Sequence, residues 1–407
     1  MNLKLFSKSV IPFLSFVSLL RLTSASVKAF VPAKIKVKSV VVLVAHHAGR
    51  VSWSRQNILA FSQYPDGSLY HGEIYTMNPD GKHKKCLTCR SNEIPHLNND
   101  QPSWYPTGKY VLFQSVDPLL YKESPLPSRI KKYLTQGGAG IDNNLWLATS
   151  NGSKFYQLTH VKQGEASLLA QFSFHGKKLL WTARIVKRRV HAPWRRQGKW
   201  ALKIADFSEG THGPRLKNVK TYQPFGANYF YESGCFTPDG KSIFFAASPP
   251  GPYDMDIYKM NLKTGKVINL THSPGVWDEH PSISPDGKKI AWISSKGYAF
   301  TPSYRWGRTL RTELWMMNPD GSKKKQLTFF NAPGAAQDKN RRVILSENSW
   351  SPDGKQIAVS MMVFKKGREK TTIIPNSQIL GEMAAAILPP SKGRIRSRLN
   401  RLMANPV

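Results

Sequence analysis

The feature that most restricts what this chain can fold into is a short motif that returns along its length. It is an aromatic residue or Ile, then x-Pro-x-Gly-Lys or a close variant, then an apolar run. It reads WYPTGKYVLFQS from Trp104, FTPDGKSIFFAAS from Phe236, ISPDGKKIAWISS from Ile283 and WSPDGKQIAVS from Trp350. Two worn copies, FSFHGKKLLWTA from Phe172 and WSRQNILAFSQ from Trp53, bring the total to six. A second motif alternates with the first: an apolar strand, a polar turn with Gly, then Leu-Thr. It reads EIYTMNPDGKHKKCLT, NLWLATSNGSKFYQLT, DIYKMNLKTGKVINLT and ELWMMNPDGSKKKQLT. Leu-Thr begins six, six, five and six residues after Gly81, Gly152, Gly265 and Gly321. The segment WALKIADFSEGTHGPRLKNVKTY takes the equivalent place once more, without Leu-Thr.

Asp-Gly and Asn-Gly supply the positive φ that tight hairpin turns need. The flanking runs alternate or are wholly apolar, as in strands buried between sheets. Each motif therefore reads as a β-hairpin, and two alternating hairpins give four strands per unit. One such sheet cannot bury both faces alone, whereas six packed radially can. The expected fold is all-β: a six-bladed β-propeller with four strands per blade. After Ser360 the chain has neither Leu-Thr nor Asp-Gly. The β-branched run KIKVKSVVVLVA, Lys34 to Ala45, is expected to supply the missing strand and close the ring. The propeller is placed at 34–375. Residues 376–407, ending SKGRIRSRLNRLMANPV, are read as a basic C-terminal tail, frayed helix or disordered.

The chain opens MNLKLFSKSVIPFLSFVSLLRLTSASVKAF. Lys4 and Lys8 precede a short apolar stretch, Ile11 to Leu20, and small residues follow at Ser24 to Ser26. This is the pattern of a secretory signal peptide, assigned to residues 1–26. It implies a periplasmic or secreted protein with no membrane span in the mature chain. The alternative is a retained N-terminal anchor. Lys and Arg number 59 against 25 Asp and Glu, a net charge of +34, and most of the excess lies between the ends. Such a surface attracts polyanions. The charge is dispersed and not gathered into an aromatic-interleaved stripe, so a general bias toward basic residues is the alternative reading, and no nucleic-acid partner is expected. An anionic polysaccharide or lipopolysaccharide is a partner the charge would suit. Cys86 and Cys89 could pair in an oxidising compartment, leaving Cys235 alone. A single C-x-x-C with no second pair is a weak zinc signal.

These repeats resemble the TolB-type propeller repeats, in which SPDGK-I-A-S and W-MN-DG---QLT alternate. The match runs from Trp53 to about Ser360. The resemblance implies an exported propeller of the kind that serves as a scaffold in an envelope complex. TolB carries an additional N-terminal α/β domain, for which few residues are available before the first blade here. Peptidases that join such a propeller to a hydrolase domain are excluded by the lack of a G-x-S-x-G. Oligogalacturonate lyase is a third relative, a propeller enzyme with a histidine-bound manganese ion.

In a propeller the first strand of each blade lines the central channel. Aligned on the residue that opens the turn motif, the position four upstream reads Asp100, Leu168, Glu232, Glu279 and Ser346. Three upstream it reads Gln101, Leu169, Ser233, His280 and Glu347. One channel mouth thus gathers Asp100, Glu232, Glu279 and Glu347, with Asp278 and His280 nearby, in a chain poor in carboxylates. Such residues can serve the strand ends alone, or bind a cation or cationic peptide. His96, four residues before Asp100, could approach the same mouth. A second candidate is the basic loop from Arg184, with Arg188, Arg189, Trp194, Arg195, Arg196 and Trp200, where guanidinium and indole could stack on sugar or bind phosphate.

The reading is an exported, non-enzymatic binding scaffold for an envelope protein or anionic polymer, with no catalytic residue and no cofactor. A divalent cation at the channel mouth is the one candidate cofactor. The alternatives are a metal-dependent, carbohydrate-active propeller enzyme resembling oligogalacturonate lyase, and a TolB-like component of an envelope complex.

Overall fold

The computed structural model describes residues 40–64, 71–128, 131, 140–186, 198–250, 254–300, 309–364 and 379–387. The signal segment, the run from Lys34 to Ser39 and loop residues Arg188, Arg189, Trp194, Arg195 and Arg196 lie outside them. After β1 (Val40–His46), the strands β2 (Ala48–Trp53), β3 (Leu59–Gln63), β4 (Glu73–Met77) and β5 (Lys85–Cys86) form one antiparallel sheet. A second group contains β6 (Asn99–Trp104), β7 (Tyr110–Val116), β8 (Asn143–Thr149) and β9 (Phe155–Gln157), with a short helix α1 (Pro118–Glu123) between β7 and β8. It is joined to β10 (Ala166–Phe172), β11 (Lys178–Val186), β12 (Lys199–Gly210) and β13 (Gly213–Tyr222) through a parallel contact of Ala166 with Asn143. Two four-stranded sheets follow. One is β14 (Phe230–Phe236), β15 (Ser242–Ser248), β16 (Asp256–Asn261) and β17 (Val267–Asn269). The other is β18 (Asp278–Ile283), β19 (Ile290–Ser294), β20 (Glu313–Met317) and β21 (Lys325–Gln326). The last sheet runs β22 (Val343–Trp350), β23 (Gln356–Phe364), β24 (Ile379–Ile387), then β1.

The fold is all-β, with the sheets arranged as in a β-propeller. First strands pack on first strands: β2 on β6, β6 on β10, β10 on β14, β14 on β18, β18 on β22, and β22 on β2. The second strands β7, β15 and β19 are buried along their whole length. Their apolar side chains fill the space between neighbouring sheets. Ala60 and Ile74 meet Val111 and Phe113 of the next sheet, and Ala291 and Ile293 meet Val343 and Val359.

The repeated polar residues have structural work. In the first turn, Thr237, Ser284 and Ser351 donate to Asp239, Asp286 and Asp353. Those aspartates accept the N–H of Lys241, Lys288 and Lys355 at 3.0–3.1 Å. The glycine between them adopts φ near +70°, which only glycine takes without strain (Gly287, +72°). In Leu-Thr, the Leu N–H closes onto the third strand, as in Leu327 to the Leu314 carbonyl at 2.8 Å. The Thr hydroxyl accepts the N–H of the same residue, Leu314 to Thr328 at 2.9 Å, and donates to the acid before it, Glu313, at 2.6 Å. The same triangle recurs at Ile74–Thr88–Glu73 and Ile257–Thr271–Asp256, and with a neutral acceptor at Leu145–Thr159–Asn144.

One boundary is corrected. Ile379–Ile387, which the sequence assigns to the tail, is a strand with β23 on one side and β1 on the other. Its run of three alanines, Ala384 to Ala386, carries no turn signature to announce it. Among the described residues, no helix is long and apolar enough to cross a membrane.

Candidate functional site

Every first strand breaks register with its second strand at the same place, for example between Asp100 and Ser103 and between Glu279 and Ser282. At this bulge Arg50, Gln101, Leu169 and His280 adopt φ between 40° and 55°. A bulge inserts an unpaired residue and re-aims its side chain. Here the bulge residues face a channel of about 810 Å³, whose lining includes Arg50, Gln101, Leu169, Ser233, His280 and Glu347. Hydroxyls and amides one or two positions further on tie neighbouring sheets together. Ser349 accepts the Trp53 N–H at 2.8 Å, Ser52 accepts that of Trp104 at 3.1 Å, and Asn348 donates to the His280 carbonyl at 2.7 Å.

Charge concentrates on one arc of this ring. Arg50 of β2 forms an ion pair with Glu347 of β22. His280 Nε2 lies 3.6 Å from both Glu279 Oε2 and Glu347 Oε1. One ligand atom each from Glu232, Glu279 and His280 lie within 4.8 Å of one another, all three residues buried. Burial opposes charge on His280, but Glu279, Glu347 and Glu232 outweigh it and raise its pKa. Burial pushes the Glu347 carboxyl the other way, yet Arg50 and His280 hold it below the usual range. The set can hold a cation: two carboxylates and an imidazole suit a divalent metal ion, and the carboxylates suit an ammonium or guanidinium group.

Of the residues singled out from sequence, Glu232, Glu279, His280 and Glu347 come together. Asp100 lies on the other side of Arg50. It accepts from Ser62, from the Tyr64 hydroxyl at 3.1 Å and from the Gln101 N–H at 2.7 Å, and burial raises its pKa against the pull of Arg50. Asp278 is a correction. It points away from the channel and accepts from Trp292 Nε1 at 2.9 Å and from Ser273, and burial lifts its carboxyl to about 6. Successive strand residues face opposite ways, so Asp278 and Glu279 cannot share a site. His96 is held by Glu73 at 2.9 Å and by the Ser91 carbonyl at 2.6 Å, and does not join His280. Trp200 is also corrected. It lies on β12, buried, edge-on to Phe230 with ring centroids 5.0 Å apart, and is a core residue. Cys86 and Cys89 form a disulfide. Cys235 lines the channel as a thiol that burial pushes up to about 12. Arg50 escaped the sequence reading, although it stands three residues before Trp53, in the same column as His280 and Glu347.

No family model matches the chain. It is 25% identical over 277 residues to the uncharacterized protein Atu1656 of Agrobacterium fabrum, a match covering 64% of this chain and 83% of that one. It is 24% identical over 298 residues to the Tol-Pal system protein TolB of Francisella tularensis, covering 70% of this chain. The match spans 60% of that relative's length. Among solved structures, a putative TolB from Agrobacterium tumefaciens superposes with a TM-score of 0.51 at 16% identity, over 80% of this chain and 98% of that one. By its repeats, its sheets and these relatives, the chain is similar to the TolB-type β-propeller repeat proteins.

Proposed function

We propose that the chain is an exported, six-bladed propeller whose ring is closed by β1, and that it acts as a binding scaffold in the periplasm or outside the cell. A partner protein or peptide enters the channel and presents a cationic group to Glu232, Glu279 and Glu347. The observation that carries this reading is the gathering of Glu232, Glu279 and Glu347 around His280, which lines the channel together with Glu347, in a chain with 59 basic and only 25 acidic residues. Carboxylates gathered in one buried place suit a positively charged guest. The curated TolB relatives bear the name of the Tol-Pal system, which supports an envelope protein as partner.

A second reading rests on the geometry of Glu232, Glu279 and His280, which suits a divalent metal ion; with the basic surface it would fit a metal-dependent enzyme acting on an acidic carbohydrate. One experiment separates the two. A photo-crosslinking residue replaces Gln171 or Ser282 in the channel, and crosslinks are read in cells. The scaffold reading expects one discrete envelope adduct, lost in a Glu232→Gln, Glu279→Gln double variant. If no adduct forms, while the purified protein holds a stoichiometric metal that His280→Ala removes and cleaves an acidic oligosaccharide, the scaffold reading fails and the enzyme stands.

A further inference from the structure

The repeat does more than build sheets. In a four-stranded antiparallel sheet, the turn between strands one and two and the turn between strands three and four lie at the same end. Contacts between neighbouring sheets show that these turns share one end of the molecule. Gln56 donates to the Thr107 carbonyl at 2.9 Å, Lys85 donates to the Asn151 carbonyl at 3.0 Å, and Gly287 lies against Pro238. The eleven turns together carry fourteen Lys or Arg and five Asp. Thirteen of the fourteen are exposed, Lys289 being half-buried. All five aspartates accept an N–H of their own turn, at Lys82, Lys241, Lys288, Ser322 and Lys355. Lys109 pairs with Glu209, and Lys84 and Lys289 donate to Gln63 and Asn318; the other lysines remain exposed, while the aspartates are held against the turn backbone.

Both ends of the described fold meet this face. Val40 pairs with Ile387, and Ile387 with Gln356, the residue that follows the 351–355 turn. The chain therefore enters β1 and leaves β24 at the lysine-bearing end. Residues 1–39 carry seven Lys or Arg and residues 388–407 carry five, with no acidic residue in either. The first of these segments also contains the apolar stretch from Ile11 to Leu20.

We propose that this turn face docks on a bilayer surface rich in anionic lipid headgroups. Thirteen of the fourteen cations are lysines, flexible point charges without the planar fork that selects one phosphate or carboxylate. They are spread over the turns of every sheet and not drawn into a groove, which suits a laterally continuous sheet of phosphates better than a single strand of polymer. The proposal concerns the end carrying the turns and is independent of what occupies the channel.

The test is flotation of the full chain with vesicles of phosphatidylcholine alone and of phosphatidylcholine with phosphatidylglycerol. Association with the anionic vesicles is expected, and it should weaken with added salt, because exposed charges are screened beyond about 10 Å at 0.1 M. Each lysine lost from a membrane contact weakens binding about fivefold, so Lys82→Glu, Lys323→Glu, Lys324→Glu together should cost on the order of a hundredfold. A control with equal charge change at the opposite end, Lys162→Glu, Lys296→Glu, Arg341→Glu, should bind almost as well as the parent. These positions are in loops, and far-UV circular dichroism checks that both variants fold. Equal binding to both vesicle types overturns the proposal. So does equal loss in both triple variants, which would make net charge the cause. Loss on truncation after Ile387 with no loss in the turn variant overturns it as well, since the tail alone would then bind. Binding of a short DNA duplex, lost in the turn variant, at protein concentrations that give no association with anionic vesicles would assign the face to nucleic acid instead.

Discussion

His280 and Glu347 shift in opposite directions: against burial, Glu279 and then Glu347 raise the imidazole, and Arg50 and then His280 lower the carboxyl. The His280 pKa is raised, so its contribution to stability is fully present below its ordinary 6.5 and is lost as pH rises through the raised value. The Glu347 pKa is lowered, so its contribution is present above its ordinary 4.5 and is lost as pH falls through the depressed value. The pair therefore stabilises most between these two ordinary values. Urea midpoints measured across pH should decline on both sides, and His280→Gln should remove the alkaline limb while sparing the acid one. Asp278 behaves otherwise. Burial raises it to about 6, so stability falls as pH rises from its ordinary 3.8 through that value. Asp278→Asn should erase this decline without loss of stability near neutrality. The new amide can still accept from Trp292 Nε1, and its N–H₂ can donate to Ser273, which in turn donates to Asp256 at 3.0 Å. Asp278→Leu strands the indole N–H and should lower stability by about 1–3 kcal/mol in the same titration. The channel column was legible from spacing alone, and it led to Glu232, Glu279, His280 and Glu347. Two residues were misjudged for definite reasons. Asp278 follows the strict alternation of a strand, whereas the bulge one residue later lets Glu279 and His280 approach the same cluster. Arg50 belongs to the one copy that lacks the turn Gly-Lys, so the column stopped short of it.

At the scale of the element, the recurring unit is a strand locked to its turn by one threonine. Thr328 accepts a backbone N–H and donates to Glu313, a buried carboxylate whose pKa burial raises. Thr328→Val removes both bonds without changing shape and leaves a buried acid short of a donor. A cost of about 2–3 kcal/mol is expected, against about 1 kcal/mol for Thr159→Val, where the acceptor is the neutral Asn144. Chemical unfolding of the two variants measures the difference, and equal costs would show that the acid plays no part. These elements were readable because their signals are local: a glycine at positive φ, a hydroxyl two residues before an aspartate, a Leu-Thr at fixed distance. β24 was not readable for the converse reason. Ile-Leu-Gly-Glu-Met-Ala-Ala-Ala-Ile has neither alternation nor an Asp-Gly or Leu-Thr signal, and it is a strand because β23 and β1 supply partners on both sides.

On the whole-molecule scale, the last sheet is built from the two extremes of the described chain, with β24 as the bridge between β23 and β1. Truncation after Pro375 should expose the β23 edge and leave β1 without its neighbour, giving a protein that melts far below the parent or aggregates. Truncation after Ile387 should melt close to the parent. Differential scanning calorimetry of both checks this, and an unchanged melt after the shorter truncation would show that the sheet does not depend on β24. The paired ends have a consequence of another kind. Val40 and Ile387 are register partners, so a few residues of linker could join them without disturbing either strand. New ends could then be opened at an exposed turn such as Thr264–Gly265, and the sheet that now associates across the seam would become one uninterrupted stretch of polypeptide. The order of the blades along the chain is in that sense arbitrary. What cannot be moved is their order around the axis.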